Sequence, residues 1–323
     1  KQMEPSDLEI EETDAENIEV EVINPDAVSI DTGDGGVIID FEGDITESIT
    51  GPDHDANLAE FIDEAELQSM ASELVGEFNS DRESRKDWAR AYVKGLDLLG
   101  MKIEERSQPW QGASGVFHPV LTEAVVRFQA QAMGELFPAS GPVRTKIMGK
   151  LTPEKTDQAD RIQTEMNYLL TEEMTEYRDE TEQMLFKLPL AGSAFKKVYY
   201  DPLEDRPVAM FVPAEDFVAS YGASDLASCP RYTHIMKKTA NEILELQVAG
   251  FYKEVDLPEP EPDFSDIQEK YDELDGESAV VEDDDRHTIL EMHVTMNMPE
   301  EFDDPDGIAR PYVITIDKSS REI

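Results

Sequence analysis

The sequence predicts an α+β fold in which helices come first and antiparallel strands follow. Two observations carry that reading. Between positions 57 and 188 apolar residues recur every three or four places, the spacing that lines one helix face. After position 195 they alternate in short runs separated by turn signals such as Asp201-Pro202, the pattern of half-buried strands. No internal repeat interrupts this order.

The elements follow in turn. Asn57 to Phe78 is rich in helix formers, with Leu58, Phe61, Ile62, Ala65 and Leu74 as its apolar positions. Ser80 with Glu83 reads as a capping box that opens a second helix. On that helix Trp88, Tyr92, Leu96 and Leu99 share a face, and Gly100 suits a left-handed stop. Ser107 to Pro119, SQPWQGASGVFHP, is too rich in Gly and Pro for a helix. It reads as a tight loop anchored by Trp110, Gly112, Phe117 and Pro119. A third helix runs from Val120 to Phe137 with Leu121, Val125, Phe128, Ala132 and Leu136 as its buried stripe. Val143 to Met148 alternates like a strand. Thr152-Pro153 opens a fourth helix, because proline's missing N–H costs nothing at the first helical position. Its inward positions are Ala159, Ile162, Met166 and Leu169, and helical sequence resumes to Leu188, where Pro189 breaks it.

Strands then dominate. Phe195 to Tyr200 and Pro207 to Val212 form a hairpin, and Tyr232 to Lys238 is a further strand. Thr239 with Glu242 caps a short helix to Gly250. Thr288 to Met298 and Pro311 to Asp317 complete the strand set.

The chain has 323 residues, room for two domains or for one with extensions. Its 73 Asp and Glu against 28 Lys and Arg give a net charge of −45, unevenly spread. Residues 1–56 hold 18 acids and 1 base, residues 57–253 hold 32 and 22, residues 254–285 hold 15 and 1, and residues 286–323 hold 8 and 4. This divides the chain into a flexible acidic arm at 1–56 and a helical, then α+β, body at 57–253. An acidic Pro-rich insertion follows at 254–285, and a β-rich portion at 286–323 whose continuation is cut off. Scarce apolar area and self-repulsion oppose ordering of the arm, although Ile18 to Ile23 and Val37 to Phe41 have strand character. The insertion reads as a surface loop around Pro258, Pro260 and Pro262, with room for a short helix over Asp266 to Leu274. One cysteine, Cys229, excludes an intrachain disulfide and a cysteine-based zinc cage. No apolar run approaches the ~20 residues of a membrane span, so no membrane partner is expected. There is no signal-peptide pattern, and Lys1 and Ile323 read as the ends of a truncated chain.

Catalytic signatures fail on inspection. A phosphate-binding loop needs glycine where Arg144 stands and Ser or Thr where Leu151 stands. Gly112-Ala113-Ser114-Gly115-Val116 lacks the last glycine of a nucleophile elbow. Asp304, Asp306 and Gly307 fit a calcium loop, but Phe302 occupies its first ligand position. The histidines His54, His118, His234, His287 and His293 form no helical zinc pair, and Asp283 to His287 reads as a solvated acidic run. No enzyme, catalytic residue, metal ligand or cofactor is expected. The cations Arg144, Lys146, Lys150, Lys196, Lys197, Lys237 and Lys238 are the candidate contacts. They serve either as ordinary ion pairs with the excess acids or as contacts to nucleic-acid phosphates or to an acidic neighbouring subunit.

Several strings are more specific. Trp88, Tyr92, Gly95-Leu96 and Leu99-Gly100 precede Gln108 to Pro119, then Phe128-Gln129-Ala130-Gln131 and Leu136-Phe137-Pro138. With Leu188 to Asp201 and Val212 to Asp216, they resemble the portal, or head–tail connector, proteins of tailed bacteriophages, especially those of short-tailed phages. The resemblance covers residues 80–253 and 286–323 and omits both acidic segments. It implies a ring, usually of twelve subunits, at one capsid vertex. Through such a ring a terminase motor pumps double-stranded DNA without sequence specificity, and capsid and tail adaptor proteins attach to it. The chain would then be a wing-like N-terminal fragment in the virion, with the stem beyond Ile323. The rival reading is an acidic monomer that binds a basic partner, and a third is a hydrolase with scattered carboxylate metal ligands.

Overall fold

The computed structural model describes residues 28–31, 37–40, 57–100, 110, 112, 118–201, 204–260, 265–275, 286–298 and 307–323. Two compact units divide at Phe61 and Ile62. The first holds a hairpin of β1 (Val28–Asp31) and β2 (Val37–Asp40), with Val28 opposite Asp40, and a 3-10 turn at Leu58–Glu60. Residues 18–23 lie outside the described set.

The second unit is α+β, with five helices before the first of its strands. Helix α1 (Glu64–Ser84) starts at Asp63, whose side chain accepts from Ala65 N, and runs unbroken through Ser80. The expected capping box at Ser80 is therefore absent. The chain turns instead at Arg85, before α2 (Lys86–Leu99). Tyr92 and Leu96 are buried as their spacing predicts, and Trp88 stacks on Tyr92. Gly100 ends α2 in the right-handed region at φ −70, not the left-handed one. Its requirement is space, since a Cβ there would lie 2.7 Å from Leu274 Cδ2.

Helix α3 is Val120–Leu136 and α4 is Pro153–Tyr168. Thr152 caps α4 by accepting from Lys155 N, with Pro153 at the first position. A π-helical turn at Leu169–Glu173 leads to the buried Met174 and then α5 (Tyr177–Ala191). Pro189 does not break α5. It sits in the last turn, and Gly192, left-handed at φ 82, closes the helix by donating to Leu188 O at 2.9 Å.

Strands β3 (Phe195–Asp201) and β4 (Arg206–Val212) form the expected hairpin, Phe195 opposite Val212. Its outer edge is closed by helix carboxylates. Ala209 N donates to Glu176 Oε1 at 3.2 Å and Phe211 N to Glu180 Oε2 at 2.6 Å. Outward N–H groups recur every two strand residues, about 6.8 Å, and carboxylates four helix residues apart rise about 6 Å, so the two repeats match. An edge so occupied is closed to another strand.

The four-stranded antiparallel sheet has the order β5 (Phe217–Ala219), β6 (Arg231–Thr239), β7 (Arg286–Met296), β8 (Arg310–Asp317). Ile235 stands opposite Leu290, and Leu290 opposite Ile316; Leu290 and Ile316 are fully buried and Ile235 is half-buried. The hairpin meets this sheet through stacked rings: Phe195 on Phe217 (centroids 3.9 Å), Phe217 on Tyr232 and Tyr232 on His293. Helix α6 (Ala240–Val248) carries the capping box of Thr239 and Glu242. Helix α7 (Asp266–Asp275) lies within the acidic stretch read as a surface loop, yet it packs on α2. Ile267 is buried and Tyr271 OH bonds Tyr92 OH at 2.9 Å.

Candidate interaction surface

The alternation at 143–148 makes no strand. It makes a strap held by helix side chains. Val143 N donates to Asn167 Oδ1 at 2.9 Å, and Asn167 Nδ2 donates to Val143 O at 3.2 Å. Thr145 N donates to Gln163 Oε1 at 3.1 Å and Thr145 Oγ1 to Ala159 O at 3.2 Å. Period-2 geometry needs only an extended chain, and here the partners of its backbone sit on α4. Inward positions are Val143, Thr145 and Ile147, and outward ones are Arg144, Lys146 and Met148, the last 79% exposed. Gly141 admits the strap at φ +92, where a Cβ would stand 2.4 Å from Asn167 Oδ1.

Arg144, Lys146 and Lys150 are all exposed and make no ion pair among the described residues. Apolar surface flanks them. The expected inward stripe of α4 is uncovered: Ile162 and Met166 are exposed, Ala159 and Leu169 are half-buried, and no residue of α4 is buried. On α3 only Val125 of the predicted stripe is buried, while Phe128 and Leu136 are exposed. Periodicity finds an apolar face and is silent on what covers it.

Of the other candidate cations, Lys196, Lys197 and Lys237 are occupied within the chain. Lys196 and Lys197 point to opposite faces of β3, as neighbours on a strand must. Lys196 donates to Thr181 Oγ1 at 2.6 Å over the Tyr177 ring, and its burial lowers its pKa. Lys197 holds Glu291 of β7 at 2.5 Å. Burial alone would raise the Glu291 pKa, but bonds from His293 and Lys197 hold it down to about 2. Lys237 donates to Thr288 Oγ1 at 2.8 Å, and Lys238 is partly exposed near the end of β6. Of the loop anchors, Trp110 is 68% exposed and packs no core, and Gly112 has φ +91. Pro119 is exposed at the start of α3, and Phe117 lies outside the described residues.

A second polar centre had no motif to announce it. At the turn between α1 and α2 the Arg85 guanidinium donates to the carbonyls of Ala214 and Phe217, each at 2.7 Å, and of Glu215 at 2.5 Å. Burial draws its pKa down to about 10. Lys187 pairs with Glu215 Oε1 at 2.9 Å, while Glu215 Oε2 is buried with no hydrogen-bond partner. Burial and the neighbouring Glu215 charge push Asp216 up to about 6. A cavity of about 250 Å³ adjoins them, lined also by Ser265, Gln268 and Tyr271. The string Val212-Pro213-Ala214-Glu215-Asp216 carries most of this centre, and Arg85, 129 residues from Ala214, joins it only in the fold.

Among the described residues no group of His, Cys, Asp and Glu is arranged to hold a metal ion, and no helix is long and apolar enough to cross a membrane. No protein-family model matches the chain, and no curated protein matches it.

Proposed function

We propose that this chain is a subunit of a tailed-bacteriophage portal. In this reading it forms a ring at the capsid vertex, serves as the conduit for packaging and ejection of double-stranded DNA, and carries the attachment site for the tail. Its partners are other copies of itself, the terminase motor, and capsid and tail adaptor proteins, and its place is the virion. The observation that carries the reading is the uncovered helical face. Phe128, Leu136, Ile162 and Met166 lie at core-like spacing on two helices and remain exposed in the single chain. Apolar surface of that kind marks an interaction site in a soluble protein. The portal-like strings flanking α2, α3 and β3 supply the family.

Electron microscopy and light scattering of the full-length protein test the proposal. A closed ring with a central hole is the expected result. A protein that stays monomeric at all concentrations overturns it and favours an acidic interaction protein, for which the net charge of −17 over residues 1–56 would be the binding element.

A further inference from the structure

The exposed cations of the strap stand beside apolar side chains, and the two together restrict what covers them. A DNA duplex would match Arg144, Lys146 and Lys150 with phosphates, but it offers no apolar surface for Met148, Leu151, Ile162 and Met166. A protein surface offers both. The charge pattern also fixes the symmetry of any contact between copies of this chain. A two-fold contact centred on the strap would set three exposed cations against the same three. Like charges opposed in an interface are costly. The strap therefore faces a different patch of the neighbour.

Helix α1 presents such a patch. Glu66 and Glu73 stand two turns apart on one side, both exposed and without an ion pair among the described residues. Around them are the exposed Ser69, Gly76 and Ser80. A Cβ placed on Gly76 would meet nothing within 4 Å, so this face is low and open to Met148 and Leu151.

We infer that the strap with α4 is one half of a head-to-tail contact between copies of this chain, and the Glu66–Glu73 face of α1 is the other half. Such a contact, repeated with a fixed rotation, closes into a ring. The inference deepens the ring reading above and rests on it.

The test uses the full-length protein. One variant carries Arg144→Glu, Lys146→Glu and Lys150→Glu, another Glu66→Lys and Glu73→Lys, and a third all five. Assembly is followed by light scattering against concentration, and folding by circular dichroism and thermal unfolding. Each reversal alone is expected to raise the concentration for half-assembly by at least about tenfold with folding retained, and the five-fold variant to restore it. Restoration also shows that neither reversal acts by unfolding. Rings that form normally in both reversals overturn this contact and leave the portal reading standing. A five-fold variant that stays apart overturns α1 as the partner face. Wild-type protein that never assembles sinks both. Tight duplex binding, lost in the strap reversal while rings persist, assigns the strap to nucleic acid instead.

Discussion

Replacing Lys197 by Met removes the charge that joins the β3–β4 hairpin to the four-stranded sheet. Lys197 Nζ lies 2.5 and 2.6 Å from the two Glu291 oxygens, and the Glu291 side chain is 14% exposed. The Glu291 pKa falls from an ordinary 4.5 to about 2 in the fold. At about 1.4 kcal/mol per pKa unit, that gap is worth about 3 kcal/mol of stability. Because the folded pKa is the lower one, the contribution is complete above pH 4.5 and fades as the pH falls toward 2. His293 Nε2, 3.2 Å from Glu291 Oε1, remains in the variant and retains part of it. Lys197→Met is therefore expected to cost about 2 kcal/mol at pH 7 and about 1 kcal/mol at pH 3, read from urea unfolding at both. Adding Glu291→Gln should recover part of the loss, because the stranded carboxylate goes with it. A loss of equal size at pH 7 and pH 3 would refute the reasoning, since packing alone does not titrate.

Arg85→Lys keeps a charge but cannot span three carbonyls with a planar fork. It is expected to lose about 2–4 kcal/mol in denaturant unfolding, with a loss under about 0.5 kcal/mol counting against the clasp. Asp216, raised from 3.8 to about 6, stabilises the protonated fold, so its contribution is present at low pH and lost as the pH rises through 6. Asp216→Asn should accordingly flatten the stability profile between pH 4 and 7, and a profile unchanged by the substitution would remove Asp216 as its cause. Gly141→Ala is expected to lower stability by about 1–2 kcal/mol and to speed tryptic cleavage after Arg144 and Lys146. Unaltered cleavage would mean that Asn167 does not hold the strap.

The elements that local chemistry determines were legible in the sequence. Thr152-Pro153 and the Thr239–Glu242 capping box mark helix starts by short-range bonding, and both stand where expected. The hairpin at 195–212 was equally plain, because alternation and its turn lie close together. Ser80 misled because a capping box is only a side-chain offer, declined when the helix already continues from Asp63. Pro189 misled because it stands close to the end of the helix, where the one bond to residue i−4 that it removes has almost no helix beyond it to disrupt. The strap at 143–148 has the alternation of a strand, and only the distant Asn167 and Gln163 decide that it is not one. For the surface, residue type found Arg144, Lys146 and Lys150 but could not separate them from Lys196 and Lys197, which the fold occupies internally. Arg85 was invisible as a site residue, since its three partners are backbone carbonyls with no side-chain signature.

The bond from Lys197 to Glu291 spans 94 residues of chain, and the ring stack from Phe195 ends on His293 of the same strand. At synthesis rates of roughly 5–20 residues per second, β3 emerges roughly 5–20 s before the strand that receives it. Through that interval the helices and hairpin exist without their sheet. The Glu176 and Glu180 carboxylates that cap β4 are made before it, so the hairpin edge is guarded from the moment it forms. The order of the elements along the chain thus protects the nascent protein during the wait for β7.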